Sequence, residues 1–249
     1  LAAALDQALD RAELFAVFQP QIALDTGRVA AAEALCRWTH PVLGSVPPDV
    51  FIPLAERTGV IEAIGNFMLN ESLDALTSWQ RSNGEITVSV NVSPLQLEAD
   101  TFVTQVAEGL QRTECAPARL TLEITESHPL APLDVVNTSL RAIRESGVLV
   151  SLDDYGVGHA SSSSLARHTF DEVKLDRSLL DGNDLDASQT IRDITAEARR
   201  RGLRIVAEGI ETEEQLEFVR NVGCDRGQGF LLGRPMDRSA LTELPGWSD

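Results

Sequence analysis

Short apolar runs that end in a carboxylate, an amide or a lysine recur along the chain, with amphipathic segments between them. This alternation constrains the fold more than any other feature. The first two runs, Ala16–Ala23 and Arg28–Leu35, are joined only by Leu24-Asp25-Thr26-Gly27. That link is too short for a crossover helix, so the pair is expected to be antiparallel. Beyond it, strand and helix patterns alternate. Ile61, Ile64, Met68, Ala75 and Trp79 share one helical face, while Ile86–Asn91 and Leu120–Ile124 alternate at period two before turning polar. Leu133, Val136, Leu140 and Ile143 form a helical stripe ended by Gly147. Val148–Leu152, Val173–Leu175, Ile205–Ala207 and Gly227–Leu231 complete the predicted strands. Helices are predicted over Thr190–Arg201 and Glu213–Val222, and an amphipathic lead-in helix, Leu5–Leu14, within residues 1–14. Strands linked mostly by helices make an α/β fold. A closed TIM-type (β/α)8 barrel with an antiparallel first strand, spanning 1–249 as one domain, is the economical solution; an open doubly wound sheet is the runner-up.

Charge narrows the partners. Asp and Glu number 38 against 21 Lys and Arg, a formal net charge of −17. Such a surface repels extended DNA or RNA, although a small phosphate ligand can bind where local cations reverse the field. No apolar run reaches the roughly 18 residues of a membrane span. The start, Leu1-Ala2-Ala3-Ala4, carries no signal-peptide pattern and no initiator Met, which suggests a cytoplasmic fragment of a longer protein. Cys36, Cys115 and Cys224 are too scattered for a disulfide framework or a zinc site. His40, His128, His159 and His168 show no ligand spacing.

In a barrel, reactive groups gather at the C-terminal ends of the strands. Glu33, Asn91, Glu123 (with Glu126 beyond), the pair Asp153-Asp154 and Glu208 (with Glu211 beyond) fall at or near such ends, Lys174 lies within its strand, and Gln228 opens the last one. Any one of them can be an ordinary salt bridge or cap, Lys174 included, and Asp153-Asp154-Tyr155-Gly156 can be only a tight turn. Polar ends on so many strands are not needed by a purely structural account. Carboxylates this close repel one another, and divalent cations relieve that. Hard oxygen donors without His or Cys suit Mg2+ or Mn2+. Adjacent aspartates can hold two ions roughly 3.5–4 Å apart, as two-metal phosphoester chemistry requires. Ser161–Ser164 resembles no nucleophile elbow, so serine hydrolase chemistry is not expected.

Glu33-Ala34-Leu35-Cys36-Arg37-Trp38 resembles the signature that names the EAL family of cyclic di-GMP phosphodiesterases. The similarity continues through Phe18-Gln19-Pro20, His40-Pro41, Phe51–Glu56, Val90-Asn91-Val92-Ser93, Leu122–Ser127 and Asp153-Asp154-Tyr155-Gly156. It runs on through Lys174-Leu175-Asp176-Arg177-Ser178, Ala207–Thr212 and Cys224–Phe230. The resemblance implies a modified TIM barrel that opens one phosphodiester of cyclic di-GMP to give linear pGpG. It implies that Glu33, Asn91, Glu123 and Asp153 hold one Mg2+ or Mn2+, and Asp153, Asp154 and Glu208 a second. Asp153 and Glu208 are thereby counted among the catalytic groups. A water between the ions would be the nucleophile, with Lys174 orienting it or stabilising charge and Gln228 supporting the shell. Arg37, Leu35, Gln19, Asp176 and Glu211 would contact substrate, and Glu126 would anchor the loop after the aspartates. A homodimer through the region of that loop, and a covalently linked sensor or cyclase domain, are further implications.

One segment departs from the family. Val157 and Ala160 stand where it has hydroxyls that can tether the loop, and Ser162 and Ser164 where it has large apolar side chains. A loosened loop would misplace Asp153 and Asp154, and a shift near 1 Å can cost on the order of 10²-fold in rate. The alternatives to an active phosphodiesterase are therefore a cyclic di-GMP receptor with weak or no turnover, and a barrel used as an interaction scaffold. The double substitution Val157→Thr, Ala160→Ser is expected to raise the rate of cyclic di-GMP hydrolysis or tighten its metal dependence. Unchanged steady-state kinetics would show that the loop is adequately held as it is.

Overall fold

The structure, a computed structural model, describes residues 1–81, 86–125, 133–156, 170–181 and 185–247. Its strands are β1 (Leu14–Ala23), β2 (Val29–His40), β3 (Gly44–Val46), β4 (Thr87–Asn91), β5 (Leu120–Thr125), β6 (Leu149–Tyr155), β7 (Glu172–Leu175), β8 (Arg204–Ala207) and β9 (Arg226–Gly227). Their order is β1-β9-β8-β7-β6-β5-β4-β2-β3, and β1 also pairs with β2. That last pairing closes eight strands into a barrel and leaves β3 outside it as a hairpin on β2. β1 runs antiparallel to both β2 and β9, and β2, β4, β5, β6, β7, β8 and β9 are successively parallel. The expected antiparallel entry to a closed barrel is what forms.

Side chains alternate across a strand, and here the two faces differ in kind. Val88, Val90, Leu120, Leu122, Ile124, Val150, Leu152, Val173, Leu175 and Ile205 are buried and belong to the apolar core. Ser89, Thr121, Glu123, Ser151, Asp153, Glu172 and Lys174 alternate with them and are equally buried. The second set lines the barrel interior. The hydrophobic core is thus the ring between strands and helices, built with residues such as Ile64, Met68, Leu76 and Trp79 of the helix Ile61–Arg81.

Three expectations need correction. The lead-in helix is only Ala2–Leu5, and turns follow up to Ala12, which takes φ 53. Thr39 N donates to Glu13 O and Leu14 pairs with Trp38, which draws the chain into extended form from residue 13. Leu5 and Ala8 are still fully buried, so the apolar pattern was real but served packed turns. β2 extends beyond Leu35 to His40 because it pairs with β3, a strand too short to show in the apolar pattern. The last strand, expected over Gly227–Leu231, ends at Gly227. Leu232 and Gly233 both donate to Gly229 O, folding the chain into a turn. Gly229 lies so close to Ile210 that an added Cβ would sit 2.1 Å from its carbonyl oxygen.

Asp171 joins several elements at the end of the barrel opposite the polar strand ends. It takes a bidentate contact from Arg144 (2.8 and 3.0 Å) and accepts the Val150 amide at 3.0 Å. Burial alone would raise its carboxyl, but these hydrogen bonds and the charges of Arg144 and Arg204 hold it below the ordinary carboxylate value. A depressed folded value means the stabilisation is complete above the unfolded pKa, near 4, and is lost as pH falls through the folded value. Asp171→Asn should therefore cost about 1 kcal/mol at neutral pH, discounted for partial exposure. Urea unfolding should show the gap to wild type narrowing as pH drops from 5 towards 3. A gap that does not change with pH would refute this account.

Candidate functional site

Lys174 organises the mouth of the barrel. Its side chain is fully buried, and Nζ lies 2.6 Å from Glu208 Oε1, 2.9 Å from Glu123 Oε2, 3.3 Å from Glu33 Oε2 and 3.5 Å from Asp153 Oδ1. Period two explains how these residues converge. Glu33, Glu123, Asp153 and Lys174 all occupy inward positions of parallel strands, and Asn91 pairs in register with Glu123. Asn91 Nδ2 donates to Glu33 Oε1 at 2.7 Å, and Gln228 Nε2 donates to Glu33 Oε2 at 2.7 Å. Gln228 also donates to Gln19 Oε1 (3.2 Å), and Gln19 Nε2 donates to Gly233 O (3.0 Å).

Neighbouring strand residues normally face opposite sides, yet Asp153 and Asp154 both serve the mouth. The register between β6 and β7 shifts after Leu152, and Asp154 adopts φ 55. A left-handed conformation costs a non-glycine residue on the order of 1 kcal/mol or more, and Asp tolerates it better than most. The Asp154 amide donates to Asp153 Oδ1 at 2.9 Å, tying the two together. As a result Asp153, Asp154 and Glu208 can each offer an oxygen within 4.8 Å of the others.

One ammonium cannot neutralise so many acids. Burial pushes up Glu123, which is further raised by Glu33 and stays well above the ordinary range despite Lys174. Burial likewise raises Asp153. Asp154 is pushed up to about 6 by burial and then by the charges of Asp153 and Asp176. Glu208 is pushed up to about 8, with burial and repulsion from Asp153 and Glu33 outweighing Lys174. Glu33 alone falls below its ordinary value: burial raises it, but the Lys174 charge and hydrogen bonds from Gln228, Asn91 and Lys174 win. The same carboxylates hold Lys174 well above the usual lysine value, against its own burial.

The donor set fits divalent cations. It is oxygen-rich and hard, and Glu123 Oε1 is buried with no hydrogen-bond partner among the described residues. Asn91 would turn its amide to offer Oδ1.

Two cavities meet at this cluster. One, about 540 Å3, is mainly apolar and includes Ile52, Pro53, Ile64 and Met68, with the carboxylates of Asp49 and Glu56. The other, about 550 Å3, is more polar and includes Asp176, Arg177, Glu211, Phe230 and Arg234. Leu35, Arg37, Asp153 and Asp154 line both. All the sequence-predicted site residues within the described chain therefore lie at the acid cluster or on these walls. Gln228 sits just past β9 rather than opening a strand, and Glu211 is exposed. Glu126, and the loop residues Val157, Ala160, Ser162 and Ser164, lie outside the described residues, as do His128, His159 and His168. His40 accepts the Val42 and Leu43 amides, a turn-holding role. Sequence reasoning assigned no role to Glu56, Arg177, Phe230 or Arg234. Glu56, Arg177 and Phe230 stand inside the family motifs, whereas Arg234 sits in irregular chain after a turn, without any periodic signal.

The chain belongs to the EAL domain family, whose pattern it matches over residues 2–235. It is 38% identical over 240 residues to the bifunctional diguanylate cyclase/cyclic di-GMP phosphodiesterase MucR of Pseudomonas aeruginosa, covering 95% of this chain and 35% of that protein. It is 37% identical over 245 residues to the cyclic di-GMP phosphodiesterase NbdA of the same organism, covering 96% of this chain and 31% of that protein. The chain spans about a third of the length of these curated relatives. Its fold superposes on the MucR phosphodiesterase in complex with cyclic di-GMP with a TM-score of 0.90 at 38% identity, covering 96% and 98% of the two chains. The EAL domain of Mycobacterium smegmatis DcpA matches with a TM-score of 0.79 at 30% identity, covering 93% and 95%.

Lys174→Met removes the one cation that the buried acids share. Breaking a buried ion pair typically costs about 3–5 kcal/mol. The variant is expected to lose stability on that scale in chemical denaturation and to regain part of it when Mn2+ is added. A melt unaffected by the substitution would mean that Lys174 does not balance the cluster.

Proposed function

We propose that this domain hydrolyses cyclic di-GMP to linear pGpG with the help of two Mg2+ or Mn2+ ions. The observation that carries it is the pair of near-equal cavities meeting at one acid cluster. A substrate of two like halves, joined by phosphodiesters, can place one bond at the junction and one nucleoside on each side. Membership of the EAL family and the phosphodiesterase relatives support the same substrate.

Glu33, Asn91, Glu123 and Asp153 would hold one ion, and Asp153, Asp154 and Glu208 the other. Bound there, such ions polarise phosphoryl oxygens and make a water acidic enough to lose its proton near neutral pH. Water adds across one P–O3′ bond: its oxygen goes to phosphorus, and a proton ends on the departing 3′-oxygen. Lys174 keeps its proton in this setting and presents a fixed positive charge beside the phosphoryl group as negative charge builds there. Arg37, half-buried with Nη1 donating to Cys36 O at 2.9 Å, retains further N–H groups for a phosphate oxygen. Gln228 holds Glu33 in place, and Gln19 braces Gln228. Leu35 packs against the sugar at the junction, while Asp176 and Glu211 contact the half in the second cavity.

Product analysis with Mg2+ and with Mn2+ tests this directly. Formation of pGpG that stops on chelation is expected; binding without product would make the domain a receptor instead. Glu33→Gln keeps the side chain's size but removes a charge from the ligand set and from the Lys174 contact; it should lower turnover by at least about 10²-fold in a protein that still folds, as circular dichroism can check. Metal-dependent hydrolysis at the wild-type rate in that variant would refute the metal assignment.

A further inference from the structure

The turn after β9 carries a pair of side chains that the metal chemistry leaves unused. The Arg234 guanidinium sits 4.2 Å from the centroid of the Phe230 ring. Both residues line the second cavity, both are exposed, and Phe230 is 48% accessible. Arg234 has no carboxylate partner among the described residues, unlike Arg112 or Arg144. An exposed arginine is usually a loosely held solvated charge. Here the backbone on both sides of Arg234 is pinned to β1. Gly233 O accepts from Gln19 Nε2 at 3.0 Å, and Met236 exchanges two backbone hydrogen bonds with Phe18, at 2.7 and 2.9 Å. Gly229 is packed against the Ile210 backbone, which fixes the start of the turn. The guanidinium is therefore braced by a ring on a segment tied through Gln19 to Gln228, and through Gln228 to Glu33.

Building on the cyclic di-GMP function proposed above, we propose that Arg234, braced by Phe230, is a specificity-determining residue that reads the guanine base held in the second cavity. The chemistry selects a purine with two acceptors on one edge. A guanidinium presents paired N–H donors in a plane, which match guanine O6 and N7, whereas adenine offers N7 beside an amino donor. The exposed aromatic surface of Phe230 adds a stacking face, which a base can use and a phosphate cannot. The base is also the part of a nucleotide that reaches farthest from a phosphodiester held at the acid cluster, and Arg234 stands on the wall beyond that cluster.

The test compares cyclic di-GMP with cyclic di-AMP on wild type, Arg234→Ala and Arg234→Lys. Calorimetry gives the dissociation constants, with Ca2+ in place of Mg2+ to slow turnover, and Mg2+ kinetics give KM and kcat. A good bidentate pair discriminates by roughly 10-fold to 100-fold or more. Arg234→Ala should weaken cyclic di-GMP by that factor and cyclic di-AMP far less, so that the preference for guanine collapses, and KM should change more than kcat. Arg234→Lys keeps the charge without the planar fork and should not restore the preference. Equal losses for both nucleotides would show a phosphate contact and overturn the proposal, as would an unchanged preference in Arg234→Ala or full rescue by lysine. Wild type that neither binds nor hydrolyses cyclic di-GMP would defeat the function proposed for the site itself, a result distinct from these.

Discussion

The four carboxylates around a single buried ammonium are the constraint on which the rest of the barrel depends. Lys174 is fully buried, and its contacts with Glu33, Glu123, Asp153 and Glu208 all fall between 2.6 and 3.5 Å. No charge survives burial at that depth without partners. Once Lys174 points inwards, period two commits the whole inward face of β7, and Glu172, two residues earlier, turns inwards as well. Glu172 meets Arg204 at 3.1 Å and Arg226 at 3.8 Å. Barrel interiors are commonly filled by branched apolar residues. Here most of the buried inward residues, among them Thr121, Glu123, Ser151, Asp153, Glu172 and Lys174, are polar, so most apolar burial lies in the outer ring where helices cover the strands.

The irregular backbone gathers where the chemistry lies. β1 runs against its neighbours, and its register sets Gln19 opposite Glu33. The bulge after Leu152 and the left-handed Asp154 bring two successive carboxylates to one mouth. The early end of β9 frees Gln228 to reach Glu33, where a continuing strand would have paired on. Each feature departs from an ideal barrel, and each serves the cluster. Local rules broken without a structural gain point to a functional one.

That distinction also explains what could be read from the residues alone. Strands β4 to β8 were legible because their outer faces are apolar and their inner faces largely polar, with helices between β4 and β5, between β5 and β6, and between β7 and β8. Glu33, Glu123, Asp153 and Lys174 were legible for the same reason: each is a polar residue at an inward strand position that burial should forbid, and Glu208 follows directly on the end of β8. β3 has three residues and is made by pairing with an extended β2, so no local pattern announces it. The lead-in segment has a helical apolar spacing but is claimed from residue 13 onwards by pairing with β2, a tertiary contact that overrides local preference. Arg234 was invisible because its position is set by Gly233, Met236 and their bonds to β1. Nothing within a few residues of it encodes that geometry.

The acidity of the chain and its phosphate chemistry are reconciled at the cluster. Five carboxylates, Glu33, Glu123, Asp153, Asp154 and Glu208, face one lysine, leaving four formal negative charges if all are ionised. Protons offset part of this, as the raised values of Asp154 and Glu208 show. In the function proposed here, two divalent ions displace those protons, match all four charges and turn a mouth that repels phosphate into one that accepts it. The cations and the nucleotide must then strengthen each other's binding by the same factor, since linkage is reciprocal. Arg37, Arg177 and Arg234 stand on the cavity walls rather than in the cluster. There they attract substrate without competing with metal for the carboxylates. In that function a chain with a net charge of −17 can admit a small dianion at one point, where local cations reverse the field.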